Sequence, residues 1–223
     1  MKKLKNIICL LSLVLLNTFG FSQSLKEVKI GKQTWMTQNL NVEKFLNGCP
    51  IPEAKTDKEW EKANENHQPA WCYYNNKPSK GKKYGKLYNW YAVNDPRGLA
   101  PEGWHIPSDA EWTSLTNYLG GENKAGEKIK STQGWKNDYN GTNSTGLSCF
   151  PGGSRLPVNA KKILNTKSTF QGIGESGCWW SSTELNKSNA WYRLLLTYSC
   201  RNGDISRWDY YKKGGMYVRC LRD

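Results

Sequence analysis

Apolar and polar positions first alternate in a regular way just after the N-terminal region. Val28-Lys29-Ile30 and Thr34-Trp35-Met36-Thr37 read as two short strands joined through Gly31, whose missing side chain permits a tight turn, so residues 28–42 are expected to open with a hairpin. Thr56-Asp57-Lys58-Glu59 has capping-box spacing: the Thr hydroxyl caps a helix and the Glu reaches back to a free amide. Trp60 would anchor that helix. A second box, Ser108 with Glu111, starts another helix in which Trp112, Leu115 and Leu119 share one face, Asp109 suits the positive end and Gly120-Gly121 supplies the stop. Residues 84–93 are rich in aromatics but follow neither a period of two nor one of 3.6, so they predict burial without a conformation.

The second half reads differently. Residues 134–177 are rich in Gly, Asn, Ser and Thr and contain Pro151-Gly152-Gly153-Ser154-Arg155, which predicts a long loop beside any binding surface. Four strand-like runs follow, at 179–182, 190–197, 204–208 and 215–221, and are expected to form an antiparallel meander. No fixed-period repeat and no low-complexity linker interrupts the chain. One domain over residues 23–223 is therefore expected, and a length of 223 residues leaves room for a substantial core.

The N-terminal pattern leads to the expectation that this domain is exported. Lys2, Lys3 and Lys5 precede an apolar run over residues 7–16 that is too short to span a bilayer, and Gly20 and Ser22 fit the small positions before a cleavage point, so residues 1–22 read as a signal peptide cut after Ser22 or Gln23. Cys9 precedes the apolar run, which argues against a lipid-anchoring cysteine. No later segment has the length of a membrane span. The mature protein is thus expected to be secreted or to rest in the periplasm or cell envelope, with free secretion favoured over anchoring. Loss of the leader removes three Lys and no acid, so 32 basic residues become 29 against 19 acidic, a formal charge of +10. Outside a cell, such charge suits acidic polysaccharide, lipopolysaccharide or another anionic surface polymer. The lysines are scattered and no nucleic-acid motif is present, so nucleic acid is not an expected partner.

Six cysteines remain after cleavage: Cys49, Cys72, Cys149, Cys178, Cys200 and Cys220. An even number in an oxidising compartment predicts disulfides. Cys49 is expected to join Cys72, because the stretch between them reads as one helical excursion.

The motifs Ile30-Gly31-Lys32-Gln33-Thr34-Trp35-Met36-Thr37-Gln38-Asn39-Leu40, Gly103 with Trp104-His105-Ile106-Pro107-Ser108-Asp109-Ala110-Glu111-Trp112, Pro151-Gly152-Gly153, Gly177-Cys178-Trp179-Trp180-Ser181-Ser182-Thr183-Glu184 and Val218-Arg219-Cys220 occur in one order. Together they resemble the Fibrobacter succinogenes major paralogous domain, a family abundant in secreted bacterial proteins and without a defined biochemical role. The stretch from Trp104 to Trp112 and the ending Gly-x-x-Val-Arg-Cys are also similar, more distantly, to formylglycine-generating enzymes. That similarity implies an α+β, C-type lectin-like fold: two short helices flanking a small twisted antiparallel sheet, with long irregular loops.

Such folds support several kinds of chemistry, each with its own residue signature. The enzymes use a copper-binding cysteine pair close after the tryptophan-containing strand, whereas residues 181–199 here contain no cysteine, and Cys178 and Cys200 flanking them read better as a disulfide. Calcium-dependent lectins need six to eight oxygen ligands; their Glu-Pro-Asn and Trp-Asn-Asp signatures are absent, although Glu184, Asn186 and Asn189 supply three candidate oxygens. A solvated hairpin loop explains the same three residues, so no cofactor is expected, with calcium as the open alternative. His67 and His105 lack zinc-ligand spacing and a neighbouring nucleophile motif, and Asp204 and Asp209 flank Trp208 without identifying a hydrolase. Eleven Trp and twelve Tyr against five Phe suit either core packing or a surface for polar ligands such as sugars. Aromatic candidates are Trp179, Trp180, Trp191, Tyr192 and Trp208, and cationic ones Arg155, Arg193 and Arg207. Strand neighbours point to opposite faces, so Trp179 and Trp180 cannot both be core on a one-sided sheet. The expected function is a non-enzymatic module for glycan or anionic cell-surface polymer, with Trp180, Glu184, Asn189, Arg193, Trp208 and Asp209 as its ligand-binding set. A metal-dependent oxidase and an adhesive or structural surface protein are the alternatives.

Overall fold

The computed structural model describes residues 26–197 and 203–223, with the backbone alone at 161 and 162. The leader expected over residues 1–22 and Cys200 lie outside the described residues. In chain order the elements are β1 (Glu27–Ile30), β2 (Gln33–Met36), α1 (Asp57–Glu65), β3 (Trp71–Cys72), α2 (Pro78–Tyr84), β4 (Leu87–Tyr88), α3 (Trp90–Val93), β5 (Trp104–His105), α4 (Asp109–Tyr118), α5 (Glu122–Ile129), β6 (Gly152–Arg155), α6 (Val158–Ile163), β7 (Phe170–Ile173), β8 (Ser176–Glu184), β9 (Asn189–Leu196), β10 (Ser206–Tyr211) and β11 (Leu221–Arg222). The fold is α+β. No described helix is long and apolar enough to cross a membrane.

The opening hairpin forms as its alternation predicts, with Val28 opposite Trp35 and Gly31 at a φ of 61° in the turn. Both capping boxes close: Thr56 and Ser108 accept from the backbone N–H of Glu59 and Glu111, whose carboxylates reach back to the cap amides. Trp112 and Leu115 of α4, with Leu119 at its C-cap, enter the core. Four helices, α2, α3, α5 and α6, go beyond the expected pair; α5 starts directly after Gly121, whose φ of 90° lets the chain reverse and begin a new helix.

Strands β8, β9 and β10 form the expected antiparallel meander within a five-stranded sheet of order β10-β9-β8-β6-β7. The last expected strand does not extend it. After Gly215, the chain bridges Tyr88 and Trp179 through Met216 and Tyr217, then crosses to a four-stranded sheet of order β1-β2-β11-β5. Residues 134–177 are also more ordered than their composition suggests, for they contain β6, α6 and β7, with β6 parallel to β8 at Gly153 and Gly177. The glycines there serve close packing. A side chain on Gly152 would enter the Tyr217 ring, and one on Gly153, at a φ of 73°, would strike the Gln171 carbonyl.

The core has two apolar clusters, and the central strand β8 is covered on both faces. Trp179 belongs to the cluster with Trp35, Trp60 and Trp112, while Trp180 belongs to the one with Tyr88, Trp90 and Val218. Both indoles are buried because one face packs on helices and the other on the loop-rich segments around β4 and α3. The same division corrects the expected disulfide. Cys72 sits in the first cluster and Cys49 rests against the second, and all five described cysteines are free thiols.

Candidate functional site

The expected ligand-binding residues are divided by the sheet. On the face toward α4, Arg193 is buried; its Nη1 donates to Asp109 Oδ1 at 2.6 Å and its Nη2 to the Asp109 carbonyl and Thr113 Oγ1. Arg207 shares the same carboxylate, with Nε at 2.9 Å from Asp109 Oδ2, and its guanidinium stacks 3.4 Å from the centre of the Trp191 ring. Burial pulls Arg193 below its ordinary pKa, against the pull of Asp109. This cluster ties β9 and β10 to the first turn of α4. It is a structural clasp, and it leaves Arg193 no surface for a ligand.

The hairpin between β8 and β9 also engages most of its own polar groups, although Asn189 Oδ1 is buried without a partner. Asn186 Oδ1 accepts from the backbone N–H groups of Ser188 and Asn189, Asn189 Nδ2 donates to Asp209 Oδ2 at 2.7 Å, and Glu184 Oε1 accepts from Lys212 Nζ at 2.6 Å. The ammonium against Glu184 is poorly suited to a calcium site, whose ligands must turn their oxygens toward a cation. Asp204 and Asp209 are likewise engaged apart, the first acting on Lys130 and the second on Asn189. His67 packs on Tyr91, and His105 lies between Asp223 and Glu111. Arg155 is buried, bonded to Asp57 at 3.0 Å and stacked on Trp60 and Phe170.

A different surface remains on the other face. The two-residue period of β9 and β10 sends Tyr192, Leu194 and Leu196 to the same side as Ser206, Trp208 and Tyr210, with Trp208 directly opposite Tyr192. A cleft of about 440 Å³ opens there, walled by Tyr192, Tyr210, Leu194, Leu196, Leu156 and Met216 and edged by Ser154, Gln171, Glu175, Ser176 and Cys178. Its volume lies in the range of small-ligand pockets, and its mix of apolar walls with a few polar groups suits a ligand with both kinds of surface. Tyr192 and Tyr210 meet edge to face at 6.2 Å, and Trp180 supports Tyr192 from below at the same centroid distance. Trp208 is 57% exposed on this face, and Tyr211 is exposed beside it on the edge strand.

The thiol and phenol groups of the cleft are held neutral, while Glu175 at its edge pairs with Lys136 at 2.7 Å. Burial pushes the Cys178 thiol up to about 12, although Ser154 and Ser176 lie in hydrogen-bonding reach, and pushes the Tyr210 hydroxyl up to about 12. A thiol so placed is a weak nucleophile at neutral pH. Among the described cysteines Cys178 alone lines the cleft, and the proposed partner for a copper pair, Cys200, lies outside the described residues. Of the expected set, then, Trp180 and Trp208 belong to this face, Tyr192 was among the aromatic candidates, and Tyr210 was missed. The alternation Tyr192-x-Leu194-x-Leu196 beside Trp208-x-Tyr210 was the signal that could have found it.

Comparison with family models assigns the fold a lineage. Residues 28–222 match the Fibrobacter succinogenes major domain, and the chain belongs to that family. Comparisons with curated proteins and with solved structures return no match.

Proposed function

We propose that this protein is an exported, non-enzymatic binding module that takes a glycan into the cleft between Tyr192, Tyr210 and Leu156. The carrying observation is the exposed Trp208, which stands directly opposite Tyr192 of the cleft wall on the same sheet face. Aromatic rings with a polar tip stack on the apolar face of a sugar ring while their hydroxyls reach its rim. Ser154, Gln171 and Glu175 supply the donors and acceptors that orient a polyol. The neutral, buried Cys178 thiol favours binding over covalent chemistry. The placement of α1 and α4 about mixed small sheets, with long connections between β2 and β6, fits a C-type lectin-like arrangement.

The test is a glycan and polysaccharide array on the mature protein, with and without calcium and at low and high salt, alongside Trp208→Ala. Expected is salt-resistant binding to one glycan class that weakens about tenfold or more in the variant, the scale on which a central aromatic contact acts. The variant's urea midpoint should be close to the parent's, because surface substitutions away from packed features stay within about 0.5 kcal/mol. Binding confined to low salt and indifferent to Trp208 would overturn the reading.

A further inference from the structure

Two clefts adjoin on a different part of the surface, beside α2. One, of about 270 Å³, is lined by Gln38, Asn39, Lys82, Lys83, Phe150 and Arg219 among others; the second, of about 480 Å³, shares Gln38, Asn39 and Lys82 and adds Lys26. Neither lining contains an Asp or Glu. Lys82 and Lys83 are exposed and have no carboxylate partner among the described residues, and Lys83 Nζ is held 5.2 Å from the centre of the Phe150 ring in the wall of the smaller cleft.

Arg219 distinguishes this place from a merely basic surface. The other buried cations have carboxylates at hand: Arg155 has Asp57, Arg193 has Asp109, Lys86 has Glu43, Lys212 has Glu184, and Lys130 feels Asp204 and Glu127. Arg219 is 1% exposed and has none among the described residues. Its Nε and Nη2 donate to Asn39 Oδ1 at 3.1 and 2.9 Å, and its Nη1 to the carbonyls of Met36 and Leu147 at 3.1 and 2.6 Å. A guanidinium has five N–H groups, so one on Nη2 is left without an acceptor. Desolvating an uncompensated cation costs several kcal/mol, and burial accordingly pulls the pKa of this group down. An anion seated above it would offset that cost, and the two lysines at the mouth would draw it in.

We propose that the smaller cleft binds a compact oxyanion, a carboxylate or phosphate group, presented by a polysaccharide running along the larger one. The oxyanion is inferred from these clefts alone; that a polysaccharide carries it rests on the glycan reading above. Its volume is below the roughly 300 Å³ at which pockets take drug-sized ligands, in keeping with a single charged substituent.

Isothermal titration of the mature protein with oligogalacturonate, with its neutral methyl ester and with inorganic phosphate tests this. Oligogalacturonate is expected to bind, phosphate to compete with it, and the ester to lose at least tenfold. The double variant Lys82→Gln, Lys83→Gln should weaken the acidic ligand at least tenfold. The pair Lys77→Gln, Lys80→Gln, which removes the same charge from the neighbourhood of α2 without touching either lining, should change it less than twofold. Equal losses in the two double variants would reduce the effect to diffuse charge and overturn the site. Phosphate binding without oligogalacturonate binding would keep the oxyanion and reject the polysaccharide, whereas retention of both in Trp208→Ala with loss of neutral glycans separates this site from the aromatic cleft.

Discussion

Truncating one amide, Asn39→Ala, should unsettle most of the molecule. Asn39 Oδ1 accepts from Trp179 Nε1 at 2.8 Å and twice from Arg219, and Nδ2 donates to the Tyr84 carbonyl at 2.8 Å, so a single side chain links β8, the segment before β11 and the end of α2. Its removal strands a buried indole N–H and leaves a buried guanidinium with only the Met36 and Leu147 carbonyls. An unsatisfied neutral group costs about 1–3 kcal/mol and a charged one more, so roughly 5 kcal/mol of stability should vanish, comparable to the whole stability of many domains. Urea unfolding followed by tryptophan fluorescence measures it. With a slope of roughly 2 kcal/mol/M, the midpoint should fall by about 2.5 M. Asn39→Asp keeps the acceptor and brings an anion to Arg219 while losing only the donor to Tyr84, so it should be damaged less than the alanine variant. A loss under about 1.5 kcal/mol for alanine, or an aspartate variant less stable than the alanine one, would refute the account.

Two further outcomes follow from local geometry. Partial burial works to lower the His105 pKa, but its bonds to Asp223 and Glu111 outweigh this and hold it above 6.5; Glu111 is held below 4.5 against burial by Ser108 and His105. The histidine's contribution is full below 6.5 and lost as pH rises through its folded value, and the glutamate's is present above 4.5 and lost as pH falls through its own. Stability from this triad is therefore greatest between the two, and His105→Gln should flatten the decline in urea midpoint measured from about pH 5.5 to about pH 8.5; an unchanged decline would exclude it. Gly153→Ala must place a methyl against the Gln171 carbonyl and the Tyr74 ring at a φ of 73°. Strain and overpacking together should cost about 3 kcal/mol and lower the melting temperature by roughly 6–12 °C, and a shift under about 3 °C by calorimetry would contradict the packing described.

What could be read in advance was what is local. The capping boxes at Thr56 and Ser108 and the alternation of β8 to β10 depend on neighbours within a few residues, and they appear where expected. Strand β6 was hidden because Gly152 and Gly153 look like loop residues until the Tyr217 ring, 65 positions from Gly152, arrives against the first and the Gln171 carbonyl against the second. Arg193 looked available for a ligand for the same reason, since Asp109, which occupies it, is 84 positions distant. The exposed Trp208 was visible as one of several aromatics, but only the register opposite Tyr192 separates it from the buried Trp179 and Trp180. Cysteine parity misled because it carries no geometry: Cys49 and Cys72 are close in sequence and belong to different clusters.

Strand β11 pairs on one side with β2 and on the other with β5, joining residues 221–222 to residues 33–36 and 104–105. A sheet whose interior strand is made after both of its neighbours cannot assemble as the chain emerges. The hairpin of β1 and β2 must wait through nearly two hundred residues for its partner, a separation that slows folding because loop closure precedes the contacts that reward it. The element that joins β2 to β5 is thus the last strand of this sheet to be made, and the sheet closes only once residues 221–222 are available.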